Sequence, residues 1–271
     1  MKKKIFIFML VFILSTLLAD CNERVVPTNS NNISYTKLAN FYDKNQETNT
    51  DFDPTPKMIA SIPEEKIYLY ALQEQDGWYK GMVLSINGVN KFFDWRNITF
   101  KSFMPKLHYL DLNNDNKKEL VVILIHNKGT GIYVTEVHIL NTKNLCEYKV
   151  KDALDIIKEN VETKIVSKKE VDIKINDIIY NVKIGHIPQE HSAITPSEVS
   201  EFYYEDLINY SVRDNTLNVV VGVEVKEQPL AYLGFFIIDY YFKDGEFKAN
   251  RITFKGNPTV TVTTKKLNKR N

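Results

Sequence analysis

Cysteine is scarce in this chain: Cys21 and Cys146 are the only two in 271 residues. Charge of one sign is not in excess either, with 35 Lys and Arg against 34 Asp and Glu. Nucleic acid requires a concentrated basic face, so a nucleic-acid partner is excluded. The one basic cluster, Lys265, Lys266, Lys269 and Arg270, reads as a solvated tail at the C-terminus. Catalytic signatures are missing: there is no Gly-x-Ser-x-Gly, His-Glu-x-x-His or dinucleotide fingerprint. Long apolar runs are absent beyond the first residues of the chain.

That opening run carries the most information. Lys2, Lys3 and Lys4 precede an apolar stretch from Ile5 to Leu18, which Leu18-Ala19-Asp20-Cys21 closes. The layout is that of a secretory signal peptide. At about 15 residues the stretch falls short of the roughly 20 that a membrane-spanning helix needs. Cysteine directly after Leu-Ala-x resembles the bacterial lipobox, which implies lipidation of Cys21 and anchoring at the outer face of the cell membrane. Asp20 departs from the small residue normal there, and plain secretion is the alternative. The expected division is a leader over 1–20, a lipidated cysteine and flexible tether over 21–60, and one β-rich domain over 61–271. Loss of the leader takes three lysines and one aspartate and leaves 32 basic against 33 acidic residues. With Cys21 lipidated, Cys146 is expected as a buried, inert thiol in a strand over 145–148, without a disulfide.

Residues 22–60 are rich in Asn, Thr, Ser, Asp and Pro and bury too little apolar surface to offset their ordering entropy. From Lys66 onward the texture is β. Asn87-Gly88, Asn176-Asp177 and Asp244-Gly245 each separate alternating apolar runs and predict two-residue hairpins. After the third turn Phe247 and Ala249 share one parity, and Ile252 and Phe254 the other, which predicts a bulge near Asn250-Arg251. Leu154, Ile157 and Val161 recur at helical spacing and predict a helix over 151–165 with Asp152 as N-cap. A second helix is a candidate over 195–210, with Thr195 and Pro196 opening it and a strand as the alternative. The fold class is therefore mainly β: antiparallel, blade-like sheets, as a partial propeller or a sandwich, with one or two short helices.

One constellation carries chemistry. Asp111, Asn113, Asp115 and Glu119 place side-chain oxygens at positions 1, 3, 5 and 9 of a tight loop, and the Lys117 carbonyl falls at position 7. Oxygen donors at this spacing suit a hard cation, and calcium is the expected ion. Asn116 stands where the loop needs left-handed backbone. Position 12 is Val122, so no EF-hand follows. An Asx-rich turn that binds nothing is the alternative.

These residues, entered by Pro105 to Leu110 and followed by Gly129-Thr130-Gly131 and Glu136-Val137-His138-Ile139, resemble the FG-GAP/VCBS-type repeat. They are similar in particular to exported proteins of Gram-positive bacteria that carry one such unit. The resemblance covers about 45 residues and implies a calcium loop within a blade-like sheet, liganded by Asp111, Asn113, Asp115, Lys117 and Glu119. A single copy argues against a closed propeller.

Other groups favour structural readings. His186 and His191 flank Pro188, which opposes a helix that would align them. His126, Asn127 and 129–131 lack the helix and lysine of a phosphate loop. Asp94, Glu136 and Asp239 could serve glycoside hydrolysis only if the fold pairs them. Trp78, Trp95, Tyr203 and Tyr204 read as packing. The function expected is a non-catalytic binding or interaction module of the cell envelope, with an envelope protein or a glycan as partner. The alternative is an envelope hydrolase acting on glycosides or polymers.

Overall fold

The computed structural model describes residues 56–129, 131–184, 199–226 and 228–267. Among them the chain is mainly β, with seventeen strands in three sheets and one short α-helix. The first sheet is a meander of β1 (Lys57–Ile62), β2 (Ile67–Gln75), β3 (Trp78–Ile86) and β4 (Val89–Ile98). Asn87 and Gly88 hold φ of 50° and 83° between paired Ile86 and Val89, the geometry of the expected hairpin turn. Asp76 and Gly77 (φ 53° and 79°) form the same kind of turn between β2 and β3, which sequence reading passed over.

The long sheet contains β5 (Lys106–Leu110), β6 (Glu119–Lys128), β7 (Tyr133–Asn141), β8 (Glu147–Val150), β12 (Phe202–Tyr203), β13 (Leu207–Arg213), β14 (Thr216–Val225), β15 (Gln228–Lys243) and β16 (Glu246–Gly256). β7 is paired with β6 along its whole length, so β8 and β13 lie end to end on its other edge. From β8 the ladder passes to β16, from β13 to β14, and β15 joins both. Hydrogen bonding thus returns to its starting strand. Two of the contacts that close this circuit, β7–β13 and β8–β16, are parallel.

The third sheet runs β17 (Val260–Lys266), β11 (Ile178–Ile184), β10 (Glu170–Ile175), β9 (Val161–Ser167). The arrangement is sandwich-like. β6 is buried on both faces, which is why 120–125 is one unbroken apolar run. Leu120, Val122 and Leu124 pack against Leu69, Met82, Leu84 and Phe93 of the first sheet. Val121 and Ile123 join the other core, with Ile156 and Ile157 of the helix and the inward residues of β10, β11 and β14 to β16.

Several expectations need correction. The helix, α1 (Ala153–Asn160), is capped by Asp152 as expected, its carboxylate accepting from Leu154 N and Asp155 N at 2.8 and 3.1 Å. It ends five residues short of 165, because Val161 to Ile165 pair with Ile175 to Val171 of β10. Pairing outweighs helical spacing there. Of the second helix candidate, 195–198 lie outside the described residues, and β12 and β13 occupy half of the rest as strands, with no helix in 199–210. The body begins at Lys57 in β1, inside the segment expected as tether; the remainder of that segment and the leader lie outside the described residues. Lys265 and Lys266 are not tail but the end of β17, paired with Ile179 and Ile178. Cys146 sits in the turn before β8 rather than in a strand, and is half-buried. The remaining hairpins hold: Asn176 (φ 52°) joins β10 to β11, and Asp244-Gly245 (φ 55° and 81°) joins β15 to β16. Asp239 pairs with Arg251 and Tyr240 with Ala249, so Asn250 is the extra residue of the expected bulge.

Candidate functional site

The oxygen-rich loop joins β5 to β6, and paired Leu110 and Glu119 close its neck. Its conformation follows from two left-handed residues, Asn114 (φ 62°) and Asn116 (φ 64°), the second as expected. Side-chain oxygens fold back on the loop's own amides. Asp111 accepts from Asp115 N and Asn116 N at 3.2 and 2.9 Å, and Asn113 Oδ1 accepts from Asp115 N at 2.9 Å. Asp115 Oδ1 accepts from Lys117 N at 2.8 Å, and Lys117 Nζ stands 3.4 Å from Asp115 Oδ2. Leu112 is buried in the larger core and pins the loop to the body.

Glu119 differs from the rest. It is 2% exposed, and its carboxylate accepts from Leu112 N (2.9 Å), Asn113 N (3.3 Å) and Asn113 Nδ2 (3.1 Å). Burial pushes its acid constant up, the two amide bonds oppose that, and the charges of Asp115 and Asp111 add to the rise. Glu119 is thus an anchor for the loop first. Asp111, Asn113 and Asp115 each keep acceptor capacity beyond the bonds they make. The donor set is all oxygen and net negative, which fits a hard cation such as calcium. Among the described residues no three His, Cys, Asp or Glu side chains already stand as a metal-holding group.

The other expected sites are dispersed or out of view. Cys21, His186 and His191 lie outside the described residues. No hydrogen bond or ion pair links Asp94, Glu136 and Asp239: Asp94 is exposed on β4, and Asp239 is held by Arg251 (2.8 Å to Nε) and Asn218 (2.9 Å). Gly129 and Ile132 close the connection between β6 and β7, Gly129 N donating to Ile132 O at 3.0 Å; Thr130 lies outside the described residues. Trp95 is packed, 8% exposed, and Trp78 lies under the Arg96 guanidinium. No helix among the described residues is long and apolar enough to cross a membrane.

Sequence reading missed a second polar cluster, which runs beside β6 from the level of Val122 to His126. His126 Nε2 lies 2.6 Å from Glu136 Oε2, and His138 Nε2 lies 3.6 Å from the same oxygen. On its other side His138 Nδ1 meets Glu147 Oε2 at 2.9 Å. Trp95 stacks on the His138 ring at 4.2 Å and on Phe93 at 4.0 Å. Burial pushes His138 down, but the two carboxylates outweigh it and raise its acid constant to about 9. Burial pushes Glu136 up, but the two imidazoles outweigh that and hold it far below the usual carboxylate range. The available signal was parity: Glu136, His138 and Leu140 fall at alternate positions on one face of β7, beside Leu124, Val122 and Leu120 of β6.

Comparison with protein-family models, with curated proteins and with solved structures returns no match. The likeness to the FG-GAP/VCBS-type repeat therefore rests on the loop residues and their flanks alone.

Proposed function

We propose that this chain is an exported cell-envelope lipoprotein, anchored through Cys21, whose β body holds a structural calcium loop and acts as a non-catalytic binding or interaction module for an envelope protein or glycan. The observation that carries the calcium reading is the folded-back loop, with Asp111, Asn113 and Asp115 oxygens gathered over a buried Glu119. Asp111, Asn113, Asp115 and the Lys117 carbonyl would hold the ion, with Glu119 as the inner acid. A filled loop of this sort stiffens the β5–β6 connection. Extracellular modules bind at around 10⁻⁴ to 10⁻³ M, a range that only exterior calcium fills. Thermal denaturation tests it: millimolar calcium should raise the melting temperature, and Asp111→Ala should abolish the increment. An unchanged melting temperature in the wild type removes the calcium site.

Export draws support from the leader layout, with Lys2, Lys3 and Lys4 ahead of the apolar run Ile5 to Leu18. The anchor and a bridge between Cys21 and Cys146 exclude each other, because one sulfur cannot carry both a thioether and a disulfide. Mass spectrometry of the protein from its native envelope decides between them. A diacylglyceryl-modified N-terminal peptide supports the anchor, and an unmodified Cys21 peptide bridged to Cys146 overturns it. The hydrolase alternative would need two of Asp94, Glu136 and Asp239 to face one cleft about 5 to 9 Å apart.

A further inference from the structure

The cluster beside β6 has the makings of a metal centre. The Nε2 atoms of His126 and His138 are buried, and neither makes an aligned hydrogen bond. His138 is 8% exposed. Its Nδ1 faces Glu147, and an ionised carboxylate only accepts, so the proton of the neutral ring belongs on Nδ1. That leaves the unshared pair on Nε2, directed to where Glu136 and His126 meet. Stacking on Trp95 fixes the plane of the ring.

We propose that His126, Glu136 and His138 form a binding site for a divalent transition-metal ion of the zinc type, taken through the two Nε2 atoms and the Glu136 carboxylate, with Glu147 orienting His138 from behind. Two imidazoles and a carboxylate suit zinc, whose fourth position a water can fill. Bonds of about 2.0 to 2.2 Å put tetrahedral ligand atoms about 3.3 Å apart. The distances to Glu136 Oε2, 2.6 Å from His126 and 3.6 Å from His138, straddle that edge. Small side-chain rotations bring the donors to it; as they stand, no three such groups among the described residues are in coordinating array. The carboxylate–histidine contact of Glu147 is the usual support behind a ligating imidazole. Access is open from one side, where the Glu136 side chain is 45% exposed. Without metal a proton takes the place of the ion on His138, and zinc binding displaces it to solvent. The site is distinct from the calcium loop: its ligands lie beside β6 between Val122, the partner of His138, and His126, whereas the loop hangs beyond Glu119.

The test is titration of the full chain, stripped with a chelator, by zinc in competition with a chromophoric chelator. One equivalent is expected, and His126→Ala and His138→Ala should each weaken it at least tenfold. Glu147→Gln should weaken it about tenfold while keeping the stoichiometry, and Asp111→Ala should leave it unchanged. Because His138 is buried, the more exposed His126 carries the test should His138→Ala fail to fold. Cobalt substitution adds a spectrum: visible ligand-field bands in the wild type, lost in His126→Ala. Absence of zinc binding overturns the proposal. So does binding that survives His126→Ala and disappears when His186 and His191 are both replaced by alanine.

Discussion

Asn97 is fully buried, yet none of its amide is left without a partner. Its Nδ2 donates to Ile98 O at 2.7 Å and to Phe103 O at 2.9 Å, and its Oδ1 accepts from Ile125 N at 2.7 Å. The last bond links the first sheet to β6 just before the register shift that follows Ile125. Asn97→Ala orphans three backbone groups at once, and each buried orphan costs about 1 to 3 kcal/mol. A loss of about 3 kcal/mol in urea denaturation is expected; a change within about 0.5 kcal/mol would mean that water replaces the side chain. His108 on β5 is a second residue with a readable consequence. Burial, with help from Lys106, lowers its acid constant below the usual imidazole value. The unfolded chain therefore takes up this proton first as pH falls. The His108 contribution to stability is flat above about 6.5, the ordinary value, declines as pH drops through it, and levels off below the folded constant. His108→Gln should flatten that part of the pH profile; an unchanged slope between pH 7 and 5 contradicts it.

Helix α1 exists because Asp152 satisfies its first free amides and Ala153, Ile156 and Ile157 enter the core. Asp152→Ala should cost about 1 kcal/mol, the usual worth of an N-cap, read from chemical denaturation. β15 and β16 meet at Gly234, where an added Cβ would lie 2.4 Å from Lys255 O and 2.5 Å from the Phe254 ring. The carbonyl cannot move without breaking the ladder, so Gly234→Ala should destabilise by more than a core truncation and lose cooperativity in thermal melting. What was legible in sequence divides along the same line. Hairpins at Asn87, Asn176 and Asp244 could be read because turn chemistry is local, as could the phase slip at Asn250. The helix was read too long, since nothing in 161–165 announces that Ile175 to Val171 lie alongside. The closed circuit through β7–β13 and β8–β16 was invisible, because two paired positions at each contact leave no periodicity in the chain. The same holds for the imidazole cluster. Glu147 comes nine residues after His138, and only the β7–β8 turn brings them together.

At the scale of the whole molecule, β6 is the shared wall of two cores, and the first sheet closes only one of them. β1 is the outer strand of that sheet. It covers β2 over paired positions from Lys57–Ala71 to Ile62–Ile67, buries Ile59, and is clasped by the Lys57–Glu74 ion pair at 2.8 Å. The ion pair is exposed and contributes little. The ladder and Ile59 contribute more, and their loss leaves the edge of β2 open to pairing with another chain. Two truncations should therefore part ways. A chain beginning at Pro56 keeps every strand of the described body and should melt cooperatively. A chain beginning at Lys66 lacks β1, strips cover from Ile67 and Leu69, and should melt lower and self-associate in size-exclusion chromatography. The calcium increment should survive in the first, since Asp111 to Glu119 hang from β5 and β6. Equal melting and a monomeric profile for both chains would place the boundary of the cooperative unit after β1 and detach that strand from the fold.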